Sequence, residues 1–227
     1  MKKILLSLGV LALILNRVEA ATASTAGELE TAIINANSGA DTTNGDLVIT
    51  SVLSGSGTLN KEDSGSLTLS GTNTYDCLSI NGGTLSVATE ASLGDDTTPT
   101  INGRALITTT GFDTSKAFDI GALNGTISPD ESTTLILSGN LTGDGTLTKD
   151  GLGSLTLSGT NTFSALNVDL GTLSVGADGN LGSGTITVGG ATLSTSGVVT
   201  VPRVYSRHQI RTCNRGPQSN ARGPRKT

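Results

Sequence analysis

Through most of the chain, apolar and polar residues alternate in short runs that end at Gly or Asn. Thr146-Leu147-Thr148, residues 154–158, Leu166-Asn167-Val168 and residues 172–175 all follow this rule. Alternation at period two predicts half-buried strands, with Leu155 and Leu157 on one side and Thr156 on the other. The separators, residues 151–153 and Gly159-Thr160-Asn161, supply the backbone freedom that tight corners need. Apolar centres fall at Leu147, Leu155, Leu166 and Leu173, so strands recur every 7 to 11 residues. A strand this short cannot bury its face alone. Stacking coil on coil gives each Leu a neighbour above and below, each burial contributing roughly 1.5–3 kcal/mol. The pattern predicts a β-solenoid.

The same pattern extends outward from this region. Strands are expected to begin within residues 46–53, and 105–109, Thr126-Ile127, 133–137, 185–188 and 191–195 add more. Asn102-Gly103 and Asn124-Gly125 mark corners, and Phe112 and Phe118 are expected in the core. Near the start, Thr25-Ala26-Gly27-Glu28 forms a capping box. Leu29, Ala32, Ile33 and Ala36 then recur at helical spacing, which predicts a short helix covering the first coil. Residues 1–20 read as an export signal: Lys2 and Lys3, an apolar run over 4–15, and Val18-Glu19-Ala20 before the cut. The apolar run is shorter than the ~20 residues a membrane-spanning helix needs.

The chain also repeats itself. Residues 55–94 and 143–182 superimpose at a constant offset of 88 residues with 23 of 40 positions identical. The shared text is GxGTLxK, then GSLTLSGTNT, then GTLSV, and such self-similarity marks a repeat architecture. These residues resemble the passenger-associated transport repeat of bacterial autotransporters. The second copy matches at Lys149, Gly151, Gly153, Leu155, Leu157, Gly159, Asn161, Thr162, Phe163, Gly171, Thr172 and Leu173. The first matches at Lys61, Gly65, Leu67, Leu69, Gly71, Asn73, Thr74, Tyr75, Gly83, Thr84 and Leu85, and departs at Asp63, where the pattern has Gly. Both have other residues where the pattern has Gly-Gly-Thr after the aromatic. The resemblance implies an all-β, right-handed parallel β-helix carried across an outer membrane. The resulting division is 1–20 signal, 21–45 N-terminal cap, 46–200 β-helix and 201–227 tail.

Charge sharpens that division. Between Ala21 and Pro202 stand four basic residues (Lys61, Arg104, Lys116, Lys149) and 18 acidic ones, a net of 4 − 18 = −14. After Pro202 there are seven basic residues and no acidic one. The alternation stops there too, so 201–227 reads as a disordered basic tail whose abrupt start suits an out-of-frame or fused end. An acidic body argues against nucleic acid as partner. Cys77 and Cys213 lie in different compositional regions, which favours two unmatched thiols over a disulfide.

Candidate chemistry is sparse. The one histidine, His208, lies in the tail, so the body holds neither a Ser-His-Asp nor a Cys-His constellation, and one cysteine cannot make a zinc site. Carboxylates remain: Asp95-Asp96, Asp130-Glu131, and Asp144 with Asp150, for a glycan lyase or Ca²⁺. Gly143-Asp144-Gly145 echoes part of a calcium nonapeptide without its repeated register. Acids at solenoid corners are ordinarily solvated, so no catalytic, cofactor-binding or metal residue is expected.

Three functions are compatible with this sequence. The first, favoured by the resemblance, is a non-catalytic passenger portion of an autotransporter. It implies the outer-membrane translocation machinery as partner, surface glycans or proteins as adhesion targets, and no transmembrane helix after signal cleavage. The second is a secreted polysaccharide lyase or carbohydrate-binding β-helix. The third is a Thr-ladder binder of ice or crystalline polysaccharide, against which Ser86, Ser154 and Ser174 interrupt the ladder. Because residues 176–227 show no barrel-strand pattern, the chain is expected to stop short of a membrane barrel and to remain periplasmic or secreted, whereas full-length relatives reach the cell surface.

Overall fold

The computed structural model describes residues 46–200 except 51, 63 and 198, and the backbone of 31–35 and 204–206. The strands assemble into three parallel sheets of six, nine and five strands. In mid-chain the backbone visits them in turn: Thr100–Ile101 in the first sheet, Ala105–Thr108 in the second, Phe112–Thr114 in the third, then Phe118–Ile120 back in the first. The next turn runs Gly125–Pro129, Thr134–Leu137 and Leu141–Thr142 through the same three sheets. The chain is thus an all-β parallel solenoid.

Register stacks like on like. In the second sheet Leu47, Leu67, Leu85, Leu106 and Ile127 lie one above another. In the third, Leu135, Leu155, Leu173 and Leu193 do the same. Neighbouring rungs are about 4.8 Å apart, so each inward side chain meets its counterparts directly, and Leu67, Leu135, Leu155 and Leu173 are fully buried. Strand after strand alternates inward and outward, as in Ser154–Leu157 and Thr172–Val175. Phe118 is buried, and Phe112 packs against the core from a half-buried position. Asn124 adopts the left-handed conformation (φ 72°) expected at a corner.

Among the described residues no cap helix is found. Residues Thr31–Asn35, within the predicted helix, form a strand that pairs in parallel with Thr58 to Glu62. The reason lies in competition: a helix of about a dozen residues is marginal on its own. Thr31, Ile33 and Ile34 are β-branched, and an open sheet edge offers backbone partners at once. The capping box and the signal segment lie outside the described residues. At the far end, Val204–Ser206 pairs with Ile186–Val188; the rest of 201–227 lies outside the described residues.

Candidate functional site

The recurring constellation is built around a buried cation in each repeat. Lys61 and Lys149 occupy inward positions of their strands and are 0 % exposed. Sequence alternation alone puts them there, since Leu59 and Leu147, two residues earlier, face inward too. An ammonium can be buried only if its protons find acceptors. The Lys149 amine donates to the carbonyls of Asp150 and Gly151, both at 2.7 Å, and Leu170 at 3.1 Å. The Lys61 amine donates to Glu62 at 2.5 Å and to Gly82, the counterpart of Leu170, at 3.1 Å. Burial pulls the Lys149 pKa down to about 8, against the opposing pull of Asp150. Lysine therefore ties the corner that leaves its strand to the next coil.

A second buried group closes another corner. The Asn73 side chain accepts from the Leu53 amide at 2.9 Å and donates to the Ser92 carbonyl at 2.9 Å. Asn161 repeats this with Leu141 at 2.8 Å and Asn180 at 2.6 Å. Beside them lie Tyr75 and Phe163, each covered by a one-turn 3₁₀ segment, Glu90–Leu93 or Asp178–Leu181. The segments end at Gly94 (φ 73°) and Gly182 (φ 71°), where any Cβ would strike the aromatic ring. The motif's Lys and Asn thus serve one task, satisfying the backbone at corners.

The carboxylates do not converge. Asp96 is buried, but its oxygens accept from the Leu78 amide at 2.6 Å and the Thr98 amide at 2.8 Å, so it holds a corner. Asp95 is exposed. Asp130 and Glu131 are exposed and Asp150 half-buried, all on the turns that leave the second sheet on successive coils. Asp144 lies on a different corner, entering that sheet. Among the described residues, no group of three His, Cys, Asp or Glu side chains could hold a metal ion. Asn124 and Asn140 accept from the amides of Thr146 and Thr160. Cys77 is exposed with a free thiol, and His208 and Cys213 lie outside the described residues. Sequence reasoning counted the lysines as charges on an acidic body; their inward register was the available signal of burial.

Fold and corners together define a parallel β-solenoid whose repeats are built alike. The passenger-associated-transport-repeat family model matches residues 59–87 and 147–175, so the chain carries two such repeats. The chain is similar to the adhesin BmaC autotransporter of Brucella suis, at 41% identity over an alignment taking in 60% of this chain and 5% of that protein. It therefore spans about one twentieth of the length of that relative. No solved structure matches. No helix among the described residues is long and apolar enough to cross a membrane.

Proposed function

We propose that this segment is a non-catalytic passenger rod that helps a surface protein cross the outer membrane and fold outside, and there presents an adhesive face. The observation that carries this reading is the pair of repeats whose corners are self-satisfied. Each coil completes its own buried hydrogen bonds with the coil beside it, through Lys61, Asn73, Lys149 and Asn161. A chain emerging end-first can then add one coil at a time onto those already folded, without waiting for distant partners. The similarity to a protein named an adhesin supports the adhesive part. The translocation machinery is the partner this reading requires, with surface glycans or proteins as targets. Joining the full chain to an autotransporter barrel and measuring protease-accessible protein on intact cells tests it. Removal of residues 143–182 should cut display severalfold, whereas undiminished display would overturn the transport role.

A further inference from the structure

Of the four cations within residues 46–200, three are occupied at corners. Lys61 and Lys149 are buried, and half-buried Lys116 donates to the carbonyls of Gly94 and Asp96 at 2.9 and 2.7 Å. Arg104 is exposed, and no described residue takes its guanidinium. It stands at the edge of a groove of about 280 Å³ on the outer face of the second sheet, lined by Ser64, Gly83, Thr84, Gly103, Ala105 and Thr126. The groove has an identifiable origin. Thr84, Ala105 and Thr126 are in register on three successive coils, so Ala105 is a gap in a hydroxyl ladder. The Thr residues flanking that gap are two rungs, or about 10 Å, apart. Gly83 and Gly103 leave the corner without side chains, and Leu123, 66% exposed, stands beside Gly103.

We propose that this groove binds a saccharide bearing a single carboxylate, such as a terminal uronic acid. A guanidinium fork matches a carboxylate with two parallel hydrogen bonds. Ser64, Thr84 and Thr126 offer hydroxyls that both donate and accept, as a sugar's own hydroxyls require. Leu123 supplies an apolar edge for the ring's C–H face. The volume sits at the small end of ligand sites, which suits one sugar ring. Residues 46–200 carry four basic and 15 acidic residues, a net of −11. That field repels a polyanion but leaves one carboxylate able to reach one arginine. The assignment takes from the passenger reading only that this face is presented to a surface.

The full chain should be titrated with an oligosaccharide ending in glucuronic acid, with its methyl ester, and with heparin as a sulfated polyanion. The acid is expected to bind at least about tenfold more tightly than the ester, by loss of the charge-assisted pair. Arg104→Gln should erase that preference. Ala105→Thr, which restores the ladder residue found on both neighbouring coils, should weaken acid and ester alike with the melting temperature unchanged. Equal binding of acid and ester, binding by both variants equal to that of the parent, or tighter binding of heparin would overturn the site. Acid-selective binding by a chain that fails to reach the cell surface would support the groove and count against the passenger reading.

Discussion

The two repeats share their text yet sit on different faces of the rod. The first places its four strands, Ser54–Glu62, Ser66–Leu69, Thr74–Ile80 and Thr84–Val87, alternately in the first and second sheets. The second places Thr146–Lys149, Ser154–Leu157, Ala165–Val168 and Thr172–Val175 alternately in the second and third. Following the stack from Lys61 through Ile80, Ile101 and Ile120 shows why: 88 residues amount to four turns plus one face. The two 40-residue copies therefore fold alike in two different surroundings. What the repeat encodes is a local unit, two corners with their own acceptors, and not a position in a particular sheet. Equivalent substitutions in the two copies should then have equal effects, and the paired leucine and asparagine predictions below test that equality.

The largest effect is expected at the core. Leu67 and Leu155 are equivalent and fully buried. Leu67→Asp and Leu155→Asp each place an unpaired carboxylate among stacked leucines and should cost about 4 kcal/mol or more. Urea unfolding of the full chain measures this. Near-native stability for either variant would remove that residue from the inward stack.

Next comes the buried ammonium, whose effect depends on pH. Lys149 has its folded pKa lowered to about 8, while the unfolded side chain keeps the ordinary 10.5. Below pH 8 both states are protonated and the desolvation cost is fully present. Between 8 and 10.5 the unfolded state binds the proton that the folded state has released, so stability from this group rises with pH. Relative to Lys149→Met, the parent should gain on the order of 3 kcal/mol across that window. A flat difference between the two proteins would show that the three carbonyls fully offset the burial.

The asparagines follow. Asn73→Ala leaves the Leu53 amide without its 2.9 Å acceptor, and Asn161→Ala does the same to Leu141 at 2.8 Å. Each should destabilise by about 2 kcal/mol, as buried donors left unmade do. A difference of more than about 1 kcal/mol between the two variants, beyond ordinary context dependence, would mean that the sheets, and not the local corner, set the energy.

Much of the architecture was legible beforehand because it is local. Period-two alternation at Leu155, Leu157 and Leu173 gives both strand and inward face, and Asn124-Gly125 announces its corner through φ preference alone. Residues 31–35 were misread because their helical spacing competes with an edge that exists only once Thr58 to Glu62 has folded. The rotation of one copy by a face was hidden for a related reason. It depends on the summed lengths of every coil between the copies, which no single motif records. The groove at Arg104 depends on which residues become neighbours 21 positions apart, such as Thr84, Ala105 and Thr126, and so appears only with the register.

A smaller effect, of opposite sign, is expected between the copies. Thr108 Oγ1 is the one buried side-chain polar atom among the described residues without a hydrogen-bond partner. It stacks on Val87. Thr108→Val keeps the shape and removes an unsatisfied hydroxyl, so stability should rise by about 1 kcal/mol. Calorimetric melting would show this. A loss would reveal an acceptor for that hydroxyl in solution.

The finest test concerns the ring on which the copies differ. Tyr75 is fully buried, and its hydroxyl donates to the Ser92 carbonyl at 3.0 Å. Burial first, and then the negative charge of Asp96, push its phenol well above the ordinary range, so it stays protonated and keeps donating. The same carbonyl already accepts from Asn73. Tyr75→Phe therefore removes a second donor without orphaning the acceptor, and should cost less than about 1 kcal/mol. Phe163 reverses the situation. Its carbonyl counterpart, on Asn180, accepts from Asn161 at 2.6 Å, and a second lone pair is available to a new hydroxyl. Phe163→Tyr should then be tolerated within about 1 kcal/mol, its hydroxyl finding the place Tyr75 has in the first copy. Urea midpoints of the two single variants and the double swap would decide it. Destabilisation by several kcal/mol at Phe163 alone would show that Asn180, whose amide also donates to the Gly159 carbonyl at 2.8 Å, has closed the space that Ser92 leaves to the tyrosine.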